Sequence, residues 1–411
     1  MFCDEKSQFP SIRFTEFTNA WEQEKLGECS KFYNGLTSVS KSDFGVGKDL
    51  YIDYLNVFNN TFSQFSELKK FKNSSRQNYV QFKDVILTIS SETPDEVAMS
   101  SVINWKNDYK NVAFNSFCIL VRFNQLEKYD VNYIGYFFRS NSFRTQAMLM
   151  AQGISRFNIN QTALKKTLFL FPPNIYEQQK IGNVLYYLDS LITLHQRKLL
   201  SLKNLKSRLL DRMFCDEKSQ FPSIRFKEFT NVWEQGKLGN LIDKGGSGGT
   251  PNTSNAKFYN GSIPFLTIAD LTKADGHIYS TEKHITNEGL NSSSAWIVPK
   301  GSLTLSIYAT IGKIGIMHQN MATSQAFYSM VINDDITKKY LYYHLKKSDV
   351  FGEWTKLIST GTQANLNSEK VKSFGIFIPK NKSEQSKISS LFTHLDSLIT
   401  LHQRKRITRT V

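Results

Sequence analysis

The chain contains two long duplications, and these constrain its fold more than any other feature of the sequence. Residues 1–27 recur at 213–239 with three changes, and the ten residues DSLITLHQRK occur at 189–198 and again at 396–405. Internal repeats of this kind indicate similar structural units. Because the segments between these duplications differ in sequence, we predict two units with similar ends and different central segments. We call the duplicated ends the frame of each half and the central segment its interior.

Length and charge narrow the class of protein. A chain of 411 residues is long enough for roughly two to four domains of about 100–200 residues, and the repeat favours two. The 51 Lys and Arg residues exceed the 36 Asp and Glu residues, which gives a formal charge of +15. Such a charge attracts polyanions and favours nucleic acid as a partner. A generically basic surface is the alternative interpretation.

Neither a membrane anchor nor a disulfide framework is indicated. The apolar runs are only a few residues long, whereas a spanning helix needs about 20, and the charged residues that begin at Asp4 argue against a signal peptide. The spacing of the cysteines does not fit a metal or redox motif. The cysteines are Cys3, Cys29, Cys118 and Cys215. We therefore predict a protein of the reducing cytoplasm with no membrane association.

Each half ends in an amphipathic helical pattern, in which apolar residues recur at steps of three and four. With Ile181 at heptad position a, Leu188 and His195 also occupy a positions, and Leu395 and His402 do so in the second half. We expect these four residues to be scaffold positions of two long helices that pair as an antiparallel coiled coil. Histidines at the edge of the seam, and helices packed as ordinary core helices, are the alternatives.

Both interiors have a mixed α/β pattern. Short β-rich runs occur in the second interior at 263–268, 295–299, 302–309 and 374–379. The first interior has comparable runs at 85–90 and 117–123, followed by helical stretches near 131–150. The predicted fold class is α+β, with two similar halves that each consist of a mixed α/β domain followed by a long helix.

A cluster of glycines at 245–249 resembles a phosphate cradle, because glycines let backbone N–H groups approach an anion. The lysine of a P-loop is missing, so we favour a flexible DNA-facing loop over a nucleotide site. A simple turn is the remaining interpretation.

Two further motifs indicate catalysis only weakly. Pro94-Asp95 followed by Asp108 and Lys110 fits the loose spacing of a metal-dependent nuclease, but the second half has no counterpart. The sequence FPPN at 171–174 is similar to an adenine methyltransferase motif, yet it has phenylalanine where a hydrogen-bond acceptor is required. Neither pattern is therefore sufficient to indicate a catalytic chain.

Basic and aromatic residues interleave between Lys69 and Lys83, and the pentapeptide KFYNG occurs at 31–35 and at 257–261. Lysine and arginine neutralise phosphates, whereas hydroxyl, amide and guanidinium groups contact base edges. These segments supply candidate DNA contacts, and a solvated basic face with core aromatics is the alternative. The candidates are Lys31, Tyr33, Arg76, Lys257 and Tyr259.

The order of motifs resembles the specificity subunit of type I restriction-modification systems. Each half contains PSIRFxEFTNxWEQxKLG, a variable interior, a glycine-led segment (GISRFNIN or GTQANLN), a hydrophobic strand that ends in proline, and EQQKI or EQSKI at the start of the helix. The resemblance covers essentially the whole chain, twice. The matching residues are Gly153, Asn158, Asn160, Pro172, Glu177 and Gln178 in the first half and Gly361, Asn365, Asn367, Pro379, Glu384 and Gln385 in the second.

This resemblance implies a non-catalytic protein with two target recognition domains, each of which recognises one part of a bipartite, asymmetric site in double-stranded DNA. It implies two methyltransferase subunits and the restriction and translocase subunits as partners. S-adenosylmethionine, ATP and Mg²⁺ are expected on those partners, with no cofactor or metal on this chain. The implied boundaries are 1–175 for the first recognition domain, 176–212 for the central spacer helix, 213–383 for the second domain and 384–411 for the distal helix.

The resemblance also selects DNA-proximal residues by position. In the second domain these are Gly249, Thr250 and Pro251, the loop from Tyr308 through Thr310 to Lys313, and Gln363 with Asn365. In the first domain they are Lys31, Tyr33, Arg76, Ser91, Thr93 and Arg156, although this domain departs from the GGTP pattern of the second.

One departure concerns the distal helix. After Lys405 the sequence is RITRTV, whereas the first copy continues as LLSLKNLKSRLLDRMF after Lys198, so we expect a shortened distal helix.

Two other classes of protein stay open from the residues alone. One is a two-headed DNA-binding regulator that acts without partners, and the other is a metal-dependent nuclease that uses Asp95 and Asp108.

Overall fold

The computed structural model describes residues 1–3, 7–106, 111–216, 219–358 and 366–407. It consists of two compact units, Met1–Thr193 and Leu194–Val411. The boundary falls inside a helix that spans Ile175–Arg212. In the part of the chain that the structure describes, no helix is long and apolar enough to cross a membrane.

The first unit is a mixed α/β domain with many short strands. In chain order its elements are β1 Glu22–Lys25, α1 Leu26–Cys29, β2 Ser30–Asn34, β3 Phe44–Ile52, α2 Tyr54–Asn59, β4 Lys69–Phe71, β5 Val85–Thr88, β6 Ser90–Ser91, β7 Ser100–Val102, β8 Val112–Phe114, β9 Cys118–Phe123, α3 Val131–Phe137, α4 Asn141–Met150, β10 Phe157–Asn158, α5 Gln161–Lys166, β11 Leu168–Phe171 and the start of α6 Ile175–Arg212. A sheet of order β2-β9-β5-β7 and a sheet of order β4-β3-β8 form its body, and β1-β11 and β6-β10 are two-stranded pairs.

The second unit begins with the last part of α6 and repeats this plan. Its further elements are β12 Glu234–Lys237, β13 Lys244–Ser247, β14 Tyr259–Leu266, α7 Ile268–Lys273, β15 His277–Ile278, β16 Lys283–Ile285, α8 Asn287–Asn291, β17 Ile297–Val298, β18 Leu303–Ser306, β19 Ile314–Met317, β20 Met321–Thr323, β21 Phe327–Val331, α9 Asp335–Val350, α10 Ser368–Ser373, β22 Gly375–Ile378 and α11 Lys382–Ile407. The sheet orders are β13-β21-β18-β19-β15, β16-β14-β20-β17 and β12-β22.

Some strand pairs of the two units correspond, although their sheets differ in the number of strands. The antiparallel pair β1-β11 corresponds to β12-β22, and the parallel pair β3-β8 corresponds to β14-β20. Central strands such as β5 and β18 are buried at every residue, and their sequences, VILT and LTLS, are accordingly free of charged residues. The predicted α+β fold with two similar halves is thus confirmed.

An asparagine directly precedes each long helix, Asn174 next to Pro173 and Asn381 two residues after Pro379. The side chain of Asn174 accepts a hydrogen bond from the Tyr176 N–H at 2.9 Å, and that of Asn381 accepts one from the Ser383 N–H at 2.8 Å. These bonds satisfy backbone donors that lack a partner within the first helical turn. The helical pattern in the sequence therefore predicted both long helices.

In each unit, an arginine and a tryptophan of the duplicated N-terminal segment bind to the start of the long helix. We call the segments from Arg13 to Trp21 and from Arg225 to Trp233 the straps. Arg13 forms two hydrogen bonds to the carboxylate of Glu177, at 2.7 and 2.8 Å, and Trp21 Nε1 donates to the same carboxylate at 3.1 Å. Glu177 is buried, and the ion pair raises the pKa of Arg13. Because three N–H donors from two residues surround this carboxylate, strong hydrogen bonds offset the desolvation of its charge.

The glutamine after each anchoring glutamate fastens the helix to the domain. Gln178 donates to the carbonyls of Pro172 and Lys128 and accepts from the Asp130 N–H. Gln385 likewise donates to the Pro379 carbonyl, at 2.8 Å. The Glu-Gln motif that contributes to the family resemblance therefore has a structural role in this chain.

In the second unit the end of α6 pairs with α11. His195 Nδ1 lies 3.3 Å from His402 Nδ1, and Lys206 forms an ion pair with Asp396. The partner number falls as the residue number rises, so the helices are antiparallel, as predicted. Leu395 is buried here, which agrees with its predicted scaffold position.

The predicted scaffold role of Leu188 stays a prediction. Its side chain is 39% exposed and does not belong to the hydrophobic cores of the described residues.

Candidate nucleic-acid interface

A cleft in the first unit brings together two predicted site residues, Ser91 and Arg156. It has a volume of about 390 Å³ and lies beside the pair β6-β10, in which Ser91 is opposite Phe157. The remaining lining residues are Tyr54, Leu55, Phe58, Ser90, Glu92, Glu96 and Phe117. The cleft therefore combines a guanidinium group and carboxylates with an apolar wall, which is a suitable mixture for contacts to bases.

The predicted residues at this cleft differ in accessibility. Arg156 is exposed and lines the cleft, whereas Thr93 is exposed but is not one of the lining residues. Ser91 is buried, and its Oγ donates to Glu96 Oε2 at 2.7 Å. We therefore correct the prediction for Ser91, because its hydroxyl orients a carboxylate of the cleft instead of facing a ligand.

Two arginines that sequence reasoning missed hold the walls of this cleft. Arg139 donates to the carbonyls of Ser100, Val57 and Phe58 at 2.8–3.0 Å, and burial lowers its pKa to about 10. Arg144 donates to the Val97 carbonyl. Their acceptors are backbone carbonyls distant in sequence, so no local pattern identifies them. Arg139 holds the backbone of Phe58, which lines the cleft, and Arg144 holds the backbone of Val97, which follows the lining residue Glu96.

The other predicted residues of the first domain do not line the cleft. Lys31 and Arg76 are exposed, on β2 and on the segment between β4 and β5. Tyr33 is half-buried, and the Arg122 guanidinium lies 4.9 Å from its ring centroid. Arg122 in turn pairs with the buried Asp84. Tyr33 therefore supports an internal ion pair, and its prediction as a DNA contact is not supported by its position.

In the second unit the loop after β18 presents the predicted residues Tyr308 and Thr310. Ser306 Oγ donates to the Thr310 carbonyl at 2.6 Å, and the Gly312 N–H donates to the Ser306 carbonyl at 3.0 Å. Thr310 has a φ of 48°, which L-residues adopt only when the surrounding structure enforces it. Tyr308 and Thr310 are exposed, and Lys313 is half-buried.

This loop occupies the same place as the cleft loop of the first unit. The Leu366 N–H donates to the Ile307 carbonyl at 3.0 Å, and the Ile159 N–H donates to the Ile89 carbonyl at 3.0 Å. Equivalent backbone bonds therefore join Ile159 in the first unit and Leu366 in the second to the residue that directly follows β5 and β18. That loop spans 89–97 in the first unit and 307–311 in the second, so both its length and its side chains differ.

The glycine-rich segment at 245–251 is not a phosphate cradle. The Gly248 N–H donates to the Phe327 carbonyl at 3.1 Å and the Gly249 N–H to the Thr323 carbonyl at 3.0 Å. Gly249 is buried, and a Cβ there would lie 2.5 Å from the Ala295 nitrogen. The glycines permit close packing, and Gly249 is not accessible to DNA. Thr250 is half-buried and Pro251 buried.

The repeated pentapeptide KFYNG has two different structures. Lys31 lies in β2, whereas Lys257 lies in a 3-10 turn, Ala256–Phe258, before β14. The two copies are therefore not equivalent, and their identity is not evidence of a shared contact. Lys257 is exposed, but the Tyr259 hydroxyl donates to the Pro251 carbonyl at 2.7 Å and supports the glycine-rich segment.

Some predicted residues lie outside the described part of the chain. These are Gln363 and Asn365 of the second recognition site and Asp108 and Lys110 of the nuclease pattern. Asp95 is exposed in a 3-10 turn, Pro94–Glu96. Among the described residues, no group of three or more His, Cys, Asp or Glu side chains is arranged to hold a metal ion.

Comparison with known proteins identifies the family. The model of the type I restriction modification DNA specificity domain matches residues 19–204 and, a second time, residues 231–409. The chain belongs to this family. The two matches coincide with the two duplicated frames, so each half is one DNA specificity domain.

Curated relatives agree with this assignment. The chain is 30% identical over 184 residues to the type I restriction enzyme MjaIX specificity subunit of Methanocaldococcus jannaschii, which is 44% of this chain and 42% of that protein. It is 29% identical over 182 residues to the EcoR124I/EcoR124II specificity subunit of Escherichia coli, 43% of each chain. The matched part thus spans about two fifths of the length of these relatives.

Solved structures extend the likeness in fold to nearly the whole chain. The S subunit of a type I restriction-modification system from M. genitalium superimposes with a TM-score of 0.56 at 13% identity, over 96% of this chain and 94% of that one. A chain from the work on complex assembly and conformational transition of the type I R-M system gives 0.54 at 15% identity, over 94% and 93%. Both specificity domains and their helices therefore have the fold of these proteins.

Proposed function

We propose that this DNA specificity protein directs a type I restriction-modification complex to a bipartite, asymmetric site in double-stranded DNA. The observation that carries the proposal is the pair of equivalent loops in two matched frames. The loop at 89–97 lies beside a cleft with Arg156 and carboxylates, whereas the loop at 307–311 presents Tyr308 and Thr310. Different side chains at equivalent positions favour different bases in the two half-sites.

Charge and rigidity support this assignment. The formal charge of +15 favours contacts to the phosphate backbone, which supply much of the affinity and make it salt-dependent. In each unit a strap arginine binds the glutamate at the start of the long helix. Each loop therefore belongs to a domain that is fixed to its helix, and the helices serve as the spacer between half-sites.

The catalytic work is assigned to partners. We propose two methyltransferase subunits and the restriction and translocase subunits as partners, with S-adenosylmethionine, ATP and Mg²⁺ bound there and not by this chain. The relatives' names as specificity subunits of type I restriction enzymes support this division. The four cysteines are buried thiols, which is consistent with the reducing cytoplasm that we propose as its compartment.

Methylation mapping tests the function. The chain is co-expressed with its methyltransferase subunit in a host that lacks adenine methylation, and N6-methyladenine is located across the genome. We expect one gapped, asymmetric sequence. In a chimeric variant, residues 307–311 are replaced by a copy of residues 89–97. One half-site should change or be lost while the other and the spacer remain. Changes in both half-sites, or methylation independent of this chain, would contradict the proposal.

A further inference from the structure

The cleft of the first unit contains a carboxylate that the protein holds in place. Glu96 lines the cleft, and its Oε2 accepts a hydrogen bond from the hydroxyl of the buried Ser91 at 2.7 Å. Among the described residues, the structure gives the Glu96 carboxylate no further hydrogen bond and no ion pair. One oxygen of this carboxylate is therefore fixed by the protein, and the other is available to a ligand in the cleft.

The backbone that carries Glu96 is fixed as well. Glu96 is the last residue of the 3-10 turn Pro94–Glu96. The guanidinium group of Arg144, on α4, donates to the carbonyls of Asp95 and Val97, which are the residues on either side of Glu96. Both the backbone and the side chain of Glu96 are thus preorganised, as a group that discriminates between similar ligands needs to be.

A carboxylate in a DNA-facing cleft is repelled by the phosphates, so it needs a specific partner on the bases. A glutamate that is ionised accepts hydrogen bonds but does not donate them. In the major groove the groups that donate hydrogen bonds are the amino groups of cytosine, at N4, and of adenine, at N6. A base contact by the Glu96 carboxylate therefore goes to one of these two amino groups.

The remaining walls of the cleft favour cytosine over adenine. Beside its amino group adenine presents N7, a second acceptor that a carboxylate cannot satisfy, whereas cytosine presents an apolar C5–H edge. Next to Glu96 the cleft has an aromatic wall, which contains the stacked rings of Tyr54 and Phe58, 5.8 Å apart, and Phe117, which is 55% exposed. An acceptor beside an apolar wall is complementary to the edge of cytosine.

We propose that Glu96 determines a cytosine in the half-site of the first unit and that Ser91 positions its carboxylate. The inference rests on the proposed function, because it takes the cleft to face DNA. The equivalent loop of the second unit, residues 307–311, has the sequence IYATI and contains no carboxylate. This contact therefore belongs to one half-site only and contributes to the asymmetry of the site.

Glu92 is the competing carboxylate of the same cleft. It lines the cleft, but its side chain is exposed, and among the described residues no hydrogen bond or ion pair orients it. A contact by this side chain would have to order several rotatable bonds, which weakens its discrimination between bases. Glu92 is thus the matched control for Glu96, with the same charge and length in the same cleft.

The base preference of Glu96 variants tests the proposal. N6-methyladenine is mapped in cells that carry the chain and its methyltransferase subunit, and the half-site that the 307–311 chimera leaves unchanged is the one of the first unit. That half-site should contain a C·G pair. A glutamine amide both donates and accepts, and it pairs with N6 and N7 of adenine. Glu96→Gln should therefore shift one C·G position toward A·T by about tenfold, whereas Glu92→Gln should leave every position unchanged.

Ser91→Ala separates base recognition from support of the loop. The variant keeps the Glu96 carboxylate but removes the hydroxyl that orients it. We expect cytosine to stay the preferred base at the same position, with weaker discrimination against the other bases. If Glu96 only stabilised the loop through Ser91, then Ser91→Ala and Glu96→Gln would lower methylation alike and would leave the recognised sequence unchanged.

A modified base supplies a second measurement, which does not depend on the folding of a variant. In a duplex, the methyl group of N4-methylcytosine replaces the N–H that faces the major groove. The purified complex of the chain with its methyltransferase subunit should bind a duplex with N4-methylcytosine at this position about tenfold more weakly than the unmodified duplex. The complex with Glu96→Ala should bind both duplexes equally, because it has no carboxylate to lose a partner.

Three results would overturn the proposal while the proposed function stands. The first is a gapped site whose first half contains A·T pairs alone. The second is a Glu96→Gln variant that recognises the unchanged sequence, or a Glu92→Gln variant that changes the same position. The third is equal weakening by N4-methylcytosine with and without the Glu96 carboxylate. By contrast, if the unchanged chain directs no methylation to a gapped site, the proposed function fails, and this inference fails with it.

Discussion

Arg225 and Glu384 lie 159 residues apart in the chain and form a bidentate ion pair, with Nε and an Nη of the arginine 2.7 and 2.9 Å from the two carboxylate oxygens. The same arginine donates to the Asn231 carbonyl at 2.6 Å, and Trp233 Nε1 donates to Glu384 at 3.2 Å. The first unit repeats every one of these contacts. The strap and the helix therefore stabilise each other wherever the duplicated sequence occurs.

Removal of this arginine should destabilise the second unit. Arg225→Ala leaves the Glu384 carboxylate buried without its cation, and breaking such a pair costs about 3–5 kcal/mol. The free energy of unfolding in urea is the measurement, with the transition of the second unit expected at lower denaturant. Lys387→Ala is the control, because its ion pair with Glu228 is half exposed. An equal loss of stability in both variants would contradict a specific role for the strap.

The strap also shows what the sequence did and did not predict. The helices were predictable because their apolar spacing and capping residues are local signals. The role of Arg13 was not, since its partner Glu177 is 164 residues away. The motif identified the family without indicating that its charged residues bind each other.

The candidate site was predicted less well for two physical reasons. Gly249 is in a glycine-rich loop, but its N–H is bonded to the Thr323 carbonyl, so composition alone could not tell a ligand cradle from tight packing. Lys31 and Lys257 begin identical pentapeptides, yet one is in a strand and the other in a turn, because tertiary context overrides a five-residue pattern. Arg156 was predicted as a DNA contact and lines the cleft beside the pair β6-β10, and its contact with DNA stays a prediction.

A buried histidine should make the stability of the second unit depend on pH. Burial lowers the pKa of His344 to about 4, below its ordinary value of about 6.5. The unfolded chain therefore binds this proton more tightly than the folded chain. The free energy of unfolding should therefore have its full value above about pH 6.5. It should decrease as the pH falls from 6.5 toward 4, by up to about 1.4 kcal/mol per pH unit.

The first unit supplies the variant that isolates this effect. Phe137 follows Tyr136 as His344 follows Tyr343, so His344→Phe places the residue of one unit in the other. We expect the difference in unfolding free energy between the variant and the unchanged chain to grow in favour of the variant as the pH falls from 6.5 to 4. Parallel pH profiles would show that His344 does not take up a proton on unfolding.

The cysteines should be unreactive until the chain unfolds. All four are buried thiols, and burial raises the pKa of Cys29 and Cys215 to about 12. The thiolate is the reactive form, so its population at neutral pH is very small. Ellman's reagent should modify the native chain only at the rate of unfolding and should titrate four thiols in denaturant without reductant. Fewer than four would indicate a disulfide, and rapid reaction of the native chain would contradict the burial of these side chains.

Arg156 should determine bases in one half-site and leave the other unchanged. Its exposed guanidinium lies at the cleft of the first unit, where a bidentate contact to a base contributes about 1–3 kcal/mol of discrimination. Arg156→Ala is therefore expected to relax the first half-site at one or two positions, measured by mapping N6-methyladenine in cells that carry the methyltransferase subunit.

Arg76→Ala is the matched control, because Arg76 is equally basic and exposed but lies outside the cleft lining. It should reduce methylation uniformly or not at all, as loss of a phosphate contact does. If Arg156→Ala instead lowers methylation without altering the recognised sequence, Arg156 contacts the backbone and the bases are recognised by other side chains of the cleft.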